Sequence, residues 1–177
     1  PSGDHVQALL SEGRAVAKRT GDGGGVEGAL PYFWKAVKVA PEDATASGTL
    51  GRALVELGRF EEALPFLEKA KAAAPKVYEV NLYLGMCLTG MERHKDARVF
   101  LEESIRIRPT DPQPLYFLGV GAMRLDDPER TVVYLKRYVV DVPRNLVALR
   151  MYIDALEMLG KKDDALAAFK LLVSRTP

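Results

Sequence analysis

Two groups of side chains in this sequence are suited to gripping another molecule. Arg14, Lys18, Arg52 and Arg150 are cationic, and an arginine guanidinium presents a planar fork of N–H donors that matches a carboxylate. Leu82, Met86, Tyr116, Val120 and Met123 are apolar, aromatic or soft, the types that wrap an apolar side chain. Together they describe recognition of a protein or peptide segment with apolar anchors and an acidic flank. Bond-making chemistry has much weaker support. No nucleophile–base arrangement or paired-carboxylate site stands out, and the chain reads as a non-enzyme without cofactor. Cys87, His94 and the distant His5 lack the four-ligand spacing of a zinc site, and Cys87 reads as a structural thiol. The run Gly21-Asp22-Gly23-Gly24-Gly25 is followed by Val26 and Glu27, where a phosphate loop would end in Gly-Lys-Ser/Thr after a strand. It reads as a lengthened, flexible turn.

The elements that position these residues are legible in the prolines. Pro41, Pro75, Pro109, Pro143 and Pro177 follow one another at intervals of 34 residues. A fixed period of that size predicts a repeat architecture of helix–turn–helix units, each burying its apolar face only against its neighbours. Ahead of Pro75, one helix is predicted over about 44–57, Gly58 and Arg59 turn the chain, and a second helix covers about 60–73. Pro75 then stops the second helix by removing a donor and crowding the preceding turn.

Within that frame the segment Leu50-Gly51-x-x-Leu54, with Ala63, Leu67, Ala70 and Pro75, resembles the tetratricopeptide repeat. The next unit follows with Leu84, Gly85, Leu88, Ala97, Leu101, Ser104 and Pro109. The first unit offers Gly13, Val16, Ala29, Phe33, Ala36 and Pro41, with about four extra residues in its turn. The fourth carries Leu118, Gly119, Ala122 and Leu135, but Thr131 and Tyr138 stand where small residues are usual, which predicts a second helix seated differently or farther out. The fifth carries Leu156, Ala165, Phe169, Leu172 and Pro177, with Ile153 in place of the glycine. The resemblance implies an all-α fold, a right-handed α-solenoid of about ten antiparallel helices. A single domain over 1–177 would hold five repeats at about 6–43, 44–77, 78–111, 112–145 and 146–177.

In this family the first helix of each repeat, helix A, lines a concave groove in which ligands bind. Helix A positions three or four apart form one stripe. Arg14, Lys18 and Arg52 give that stripe a basic entrance. Leu82, Met86, Tyr116, Val120 and Met123 give it a greasy middle, and Arg150 begins a polar end. Tyr83 and Phe117 flank the stripe and read as packing residues. The lysine–asparagine clamp with which some relatives hold chaperone tails is missing, because Leu10, Arg14, Thr49, Glu79 and Tyr83 occupy its places. On the outer helices, Arg93, His94, Lys95, Arg98, Arg106 and Arg108 are interleaved with Glu92, Asp96, Glu102 and Glu103, the pattern of a solvated face.

Net charge is +1, from 25 basic and 24 acidic residues, which gives no support for nucleic acid as a partner. No apolar run is long enough to insert in a membrane, and a cytoplasmic location is the expectation. The chain opens on Pro1 without a methionine, as a segment of a longer protein would, so an upstream leader or lipid anchor would not be visible. At the other end Leu166, Phe169 and Val173 lie on a helix with no successor, left for a capping helix or another molecule. Self-association through that repeat is one alternative function, as in a self-assembling bacterial scaffold of the magnetosome-associated type, which is similar in repeat number and style. An assembly factor for a pilus or secretion system is another.

Overall fold

The structure is a computed structural model, and it describes residues 2–19 and 24–174. Pro177 and Gly21–Gly23 lie outside the described residues, as does the side chain of Leu172. Ten helices are present among the described residues, and no strand. They are α1 (Ser2–Ala17), α2 (Gly25–Val39), α3 (Ala44–Glu56), α4 (Phe60–Ala73) and α5 (Tyr78–Gly90), then α6 (His94–Ile107), α7 (Gln113–Arg124), α8 (Pro128–Asp141), α9 (Leu146–Met158) and α10 (Lys162–Val173). The helices expected on either side of Gly58 and Arg59 are α3 and α4.

Packing divides the chain into two compact units, Pro1–Met91 and Glu92–Pro177, with the boundary inside the third repeat. In the first unit α1 packs on α2, α3 on α4, and α5 against both α3 and α4. In the second, α7 packs on α8, α9 on α10, and α7 also meets α9.

The prolines end helices as expected, with one shared geometry. Ala40, Ala74, Arg108 and Val142, each directly ahead of a proline, make the last helical bond, to the carbonyls of Ala36, Ala70, Ser104 and Tyr138. The starts of α3, α8 and α9 are fixed by side-chain caps. Asp43 Oδ1 accepts from the Ala46 amide at 2.8 Å, and Asp127 and Asn145 do the same for Arg130 and Ala148 at 3.0 Å. Each such cap is worth about 1 kcal/mol. Two further prolines, Pro31 and Pro65, sit inside α2 and α4 on exposed faces, again 34 residues apart.

The turn inside each of the last four repeats places one residue in the left-handed region. Gly58 (φ 73°) and Gly160 (φ 68°) take it in two repeats, while Glu92 (φ 59°) and Asp126 (φ 56°) take it at the equivalent positions of two others. A side chain there costs about 1–2 kcal/mol, because Cβ crowds the following carbonyl. Glycine removes that cost but loses about 0.5–1 kcal/mol through its freer unfolded chain. Asp126→Gly is therefore expected to stabilise the protein by about 0.5–1 kcal/mol, read as a higher urea midpoint, and Asp126→Ala to leave it unchanged or lower.

The small positions act as the repeat pattern requires. A Cβ at Gly51 would fall 2.6 Å from Leu67 Cγ, one at Gly119 2.4 Å from Leu135 Cδ2, and one at Gly13 2.4 Å from Phe33 Cε1. Leu67 and Leu135 are fully buried and Phe33 nearly so. Ile153 takes the glycine's place in the last repeat and is 5% exposed. There α10 turns Ala165 and Ala168 inward and leaves Phe169 49% exposed. A full side chain on α9 thus displaces the large residue that α10 would otherwise insert.

Thr131 and Tyr138, the departures in the fourth repeat, are both buried. The Thr131 hydroxyl donates back to the Asp127 carbonyl at 2.9 Å, satisfying its polar atom within the helix. The Tyr138 hydroxyl accepts from Asn145 Nδ2 at 3.0 Å, and its ring lies 5.4 Å from that of Tyr116. The bulk of Tyr138 is accommodated against α7 and the start of α9.

Candidate functional site

In the first unit, a cavity of about 360 Å³ brings Arg14 and Arg52 to one space. Arg14 comes from α1. From α3 come Ala44, Thr45, Gly48, Thr49 and Arg52, spaced so that one helical face is presented. The end of α4 contributes Ala70 and, just beyond it, Ala74. Val77 and the first turns of α5 (Glu79, Val80 and Tyr83) complete the wall. The volume lies in the range of ligand pockets, and the lining combines an apolar floor with a few polar groups.

The charges are arranged unequally. Arg52 Nε lies 3.7 Å from Glu56 Oε1, one turn on along α3. The same carboxylate oxygen accepts a 2.9 Å hydrogen bond from the Tyr83 hydroxyl on α5. Burial, and then that hydrogen bond to a carboxylate, push the Tyr83 phenol up to about 12, so it remains a donor at neutral pH. Arg52 Nε is buried without a hydrogen bond, while the side chain as a whole is 40% exposed. The accessible part of Arg52 therefore lies beyond Nε. Arg14 is exposed, and Glu79 places one negative charge on the wall.

The other expected site residues fall in different settings. Lys18 is exposed just past the end of α1, and Met86 on α5 is half-buried. Leu82 is only 3% exposed, so it belongs to the interior and offers almost no surface to a ligand. In the second unit Tyr116, Val120 and Met123 are half-buried on α7, and Arg150 is exposed on α9. Tyr116 is partly occupied by its neighbours. Its ring meets Phe117 edge-on at 5.3 Å and Tyr138 at 5.4 Å. Such aromatic pairs contribute about 0.5–1.5 kcal/mol each, so Tyr116 also holds the unit together.

The sequence did not reveal Glu56, or the role of the Tyr83 hydroxyl as its anchor. A long carboxylate one turn after an arginine is common on any helix, and the partner on α5 is 27 residues away. The wall residues Ala70, Ala74 and Val77 were missed because they come from a helix end and a junction, outside the stripe.

The basic run on α6 is largely self-neutralised. Arg93 pairs with Asp96 at 2.8 Å, Arg98 with Glu102 at 4.0 Å and Arg106 with Glu103. Exposed pairs of this kind are worth at most about 1 kcal/mol and cancel much of the field an acidic partner would feel. Cys87 is buried, its Sγ 3.2 Å from the Phe60 carbonyl. Among the described residues, no group of three or more His, Cys, Asp or Glu side chains is placed to hold a metal ion, and no helix is long and apolar enough to cross a membrane.

Residues 17–78 and 58–119 each match a pattern of the tetratricopeptide repeat, together spanning more than half of the chain. The chain belongs to the tetratricopeptide repeat family. Solved structures of similar tetratricopeptide fold extend the likeness to both ends. MamA 41-end from Desulfovibrio magneticus RS-1 superposes with a TM-score of 0.83 at 19% identity, covering 99% of this chain and 97% of that one. A further structure described as MamA protein gives 0.82 at 18% identity over 98% and 92% of the two chains. The MamA RS-1 ArsTM double mutant gives 0.84 at 18%, over 99% and 96%. At these identities the comparison establishes a common fold. No protein of curated function matches the sequence.

Proposed function

We propose that this chain is a non-enzymatic interaction scaffold that holds a segment of a partner protein against the helix A faces of its tetratricopeptide repeats. The observation that carries the reading is the 360 Å³ cavity of the first unit, to which the helices A of the first three repeats, α1, α3 and α5, all contribute. In the first unit a segment would set an apolar anchor against half-buried Met86 while acidic positions meet Arg14 and Arg52, and in the second unit half-buried Val120 and Met123 offer apolar contacts of their own. Tyr116 takes part from within its aromatic cluster, and Lys18 and Arg150 add charge at exposed positions.

A second reading is self-association through α10. Leu166, Phe169 and Val173 are 53%, 49% and 54% exposed, and Leu166 and Phe169 border a second cavity of about 360 Å³ with Glu157, Lys162 and Ala165. A bare apolar face of this kind can accept a different surface of another copy, a head-to-tail contact that propagates.

One capture experiment separates the two. The chain and its Met86→Glu and Val120→Glu variants serve as baits in the native lysate, with helicity checked for each. Half-buried glutamates on α5 and α7 are expected to remove bound partners, a loss of at least tenfold in recovery, since each buried methyl or thioether contact is replaced by a desolvated charge. Partners retained by both variants would place binding elsewhere. Recovery of the chain itself, abolished by Phe169→Asp, would establish the α10 reading.

A further inference from the structure

The unequal use of charge in the first unit's cavity has a specific chemical consequence. Arg52 is held on its Nε side by Glu56, and Glu56 is fixed in turn by the Tyr83 hydroxyl. This leaves the outer edge of the guanidinium as the part a ligand can reach. Arg14 lines the same space from α1, and no ion pair is formed by it among the described residues. Two arginines line one cavity, and Arg52 is already oriented by a hydrogen-bonded carboxylate, an arrangement suited to receiving a carboxylate group. Glu79 also lines the cavity and sets a limit. With Glu56 it matches the two arginines in number, so an acid entering here would be held by the directed guanidinium donors and not by surplus positive charge, and a run of acids gains nothing.

The rest of the lining indicates what must accompany that acid. Ala44, Gly48, Ala70, Ala74, Val77 and Val80 are small or apolar, suited to short apolar side chains. Among the lining residues there is no lysine, asparagine or glutamine, the donors that would complete the cage around a chain terminus. Resting on the peptide-holding reading above, we infer that this cavity seats a single internal Asp or Glu side chain of the partner segment, between Arg14 and Arg52, with small apolar residues beside it. The Tyr83–Glu56 pair acts on the ligand only through Arg52, as a positioning device.

Arginine Nε–Hε resonances of the whole chain report on this directly. The probes are four tripeptides: capped Ala-Glu-Ala, capped Ala-Gln-Ala, capped Glu-Glu-Glu, and Ala-Ala-Ala with a free C-terminal carboxylate. Capped Ala-Glu-Ala is expected to shift the Arg14 and Arg52 resonances saturably, at least about tenfold more tightly than its glutamine analogue. Glu-Glu-Glu is expected to bind no better, because Glu56 and Glu79 already match the two arginines in number. In Arg52→Gln the saturation should weaken about tenfold, and Arg52→Lys should fall between, keeping the charge but losing the fork.

Equal shifts from the glutamate and glutamine peptides would overturn the assignment. So would tighter binding of Glu-Glu-Glu that vanishes with salt, the mark of diffuse attraction, or preferential binding of the free terminal carboxylate. If Arg52→Gln fails to fold, the four-peptide comparison on the unaltered chain still decides. The groove reading stands or falls separately, because its test alters Met86 and Val120 and leaves both arginines in place. Partners lost there, with no glutamate-dependent shift here, would remove the acid-seating inference alone.

Discussion

Gly51→Val lowers the stability of the protein by about 2 kcal/mol, seen as a lower urea midpoint with unchanged helical signal at low denaturant. The first β-carbon already falls 2.6 Å from Leu67 Cγ and 3.3 Å from the Leu67 backbone nitrogen. Leu67 is fully buried, so its side chain has no open volume into which to rotate. Overpacking of this kind costs about 1–3 kcal/mol. It is offset by a few tenths of a kcal/mol, because valine is a better helix former than glycine. The double variant Gly51→Val, Leu67→Ala gives the control. If the cost is steric, the double variant should lose less than the sum of the two single losses, since alanine vacates the volume that valine needs. Strict additivity would mean that the two residues do not share that space.

Asn81→Ala is expected to cost about 3 kcal/mol, and Asn81→Leu somewhat less. Asn81 is fully buried at the start of α5 and uses both ends of its amide. Nδ2 donates to the Pro75 carbonyl at 3.1 Å and to the Val77 carbonyl at 2.7 Å, while Oδ1 accepts from Lys71 Nζ at 2.5 Å. Lys71 also donates to the Pro75 carbonyl at 2.6 Å. One side chain therefore ties the last turn of α4, the junction after it and the first turn of α5. Hydrogen bonds involving a charged group contribute about 1.5–3 kcal/mol, and a buried carbonyl left without its donor costs about 1–3 kcal/mol. Leucine fills the volume without restoring the bonds, so the two variants separate the packing cost from the polar one. Urea unfolding of both against the parent chain measures it. A loss under about 1 kcal/mol for both would mean that water replaces the network at little cost.

The difference between these two residues shows how far the sequence could be read. Gly51 sits in a pattern of seven positions that recur in step with the prolines, so its role is legible in the sequence. Asn81 belongs to no recurring pattern. Its equivalent in the preceding repeat is Ser47, which is also fully buried but makes no side-chain hydrogen bond. Repetition makes legible what every repeat shares, namely helix ends, close-packing glycines and interior leucines. It conceals what one repeat does alone.

The same rule explains the turn residues. The left-handed position was readable at Gly58, but at Glu92 and Asp126 the local sequence gives no sign of it. It also explains the candidate site. Arg14 and Arg52 share a repeat position and were found together on one cavity, whereas Leu82, on the same predicted stripe, is interior. Stripe membership fixes a direction around one helix. Whether a neighbouring helix covers that direction depends on packing angles that the period does not encode.

Pro31 and Pro65 carry a consequence for how the first unit breathes. Each removes one amide donor from the middle of a helix, interrupting the hydrogen-bond ladders of α2 and α4 without ending either helix. Helices of 15 and 14 residues with an interrupted ladder are marginal on their own in water. The protection of their amide protons against exchange with solvent must then come from the neighbours that clamp them, through Phe33 and Leu67, and not from the helices themselves. Isotope exchange along α4 would in effect time the opening of the α3–α4 seam, which makes a helix with an interrupted ladder a built-in clock for the contact that shapes the cavity wall.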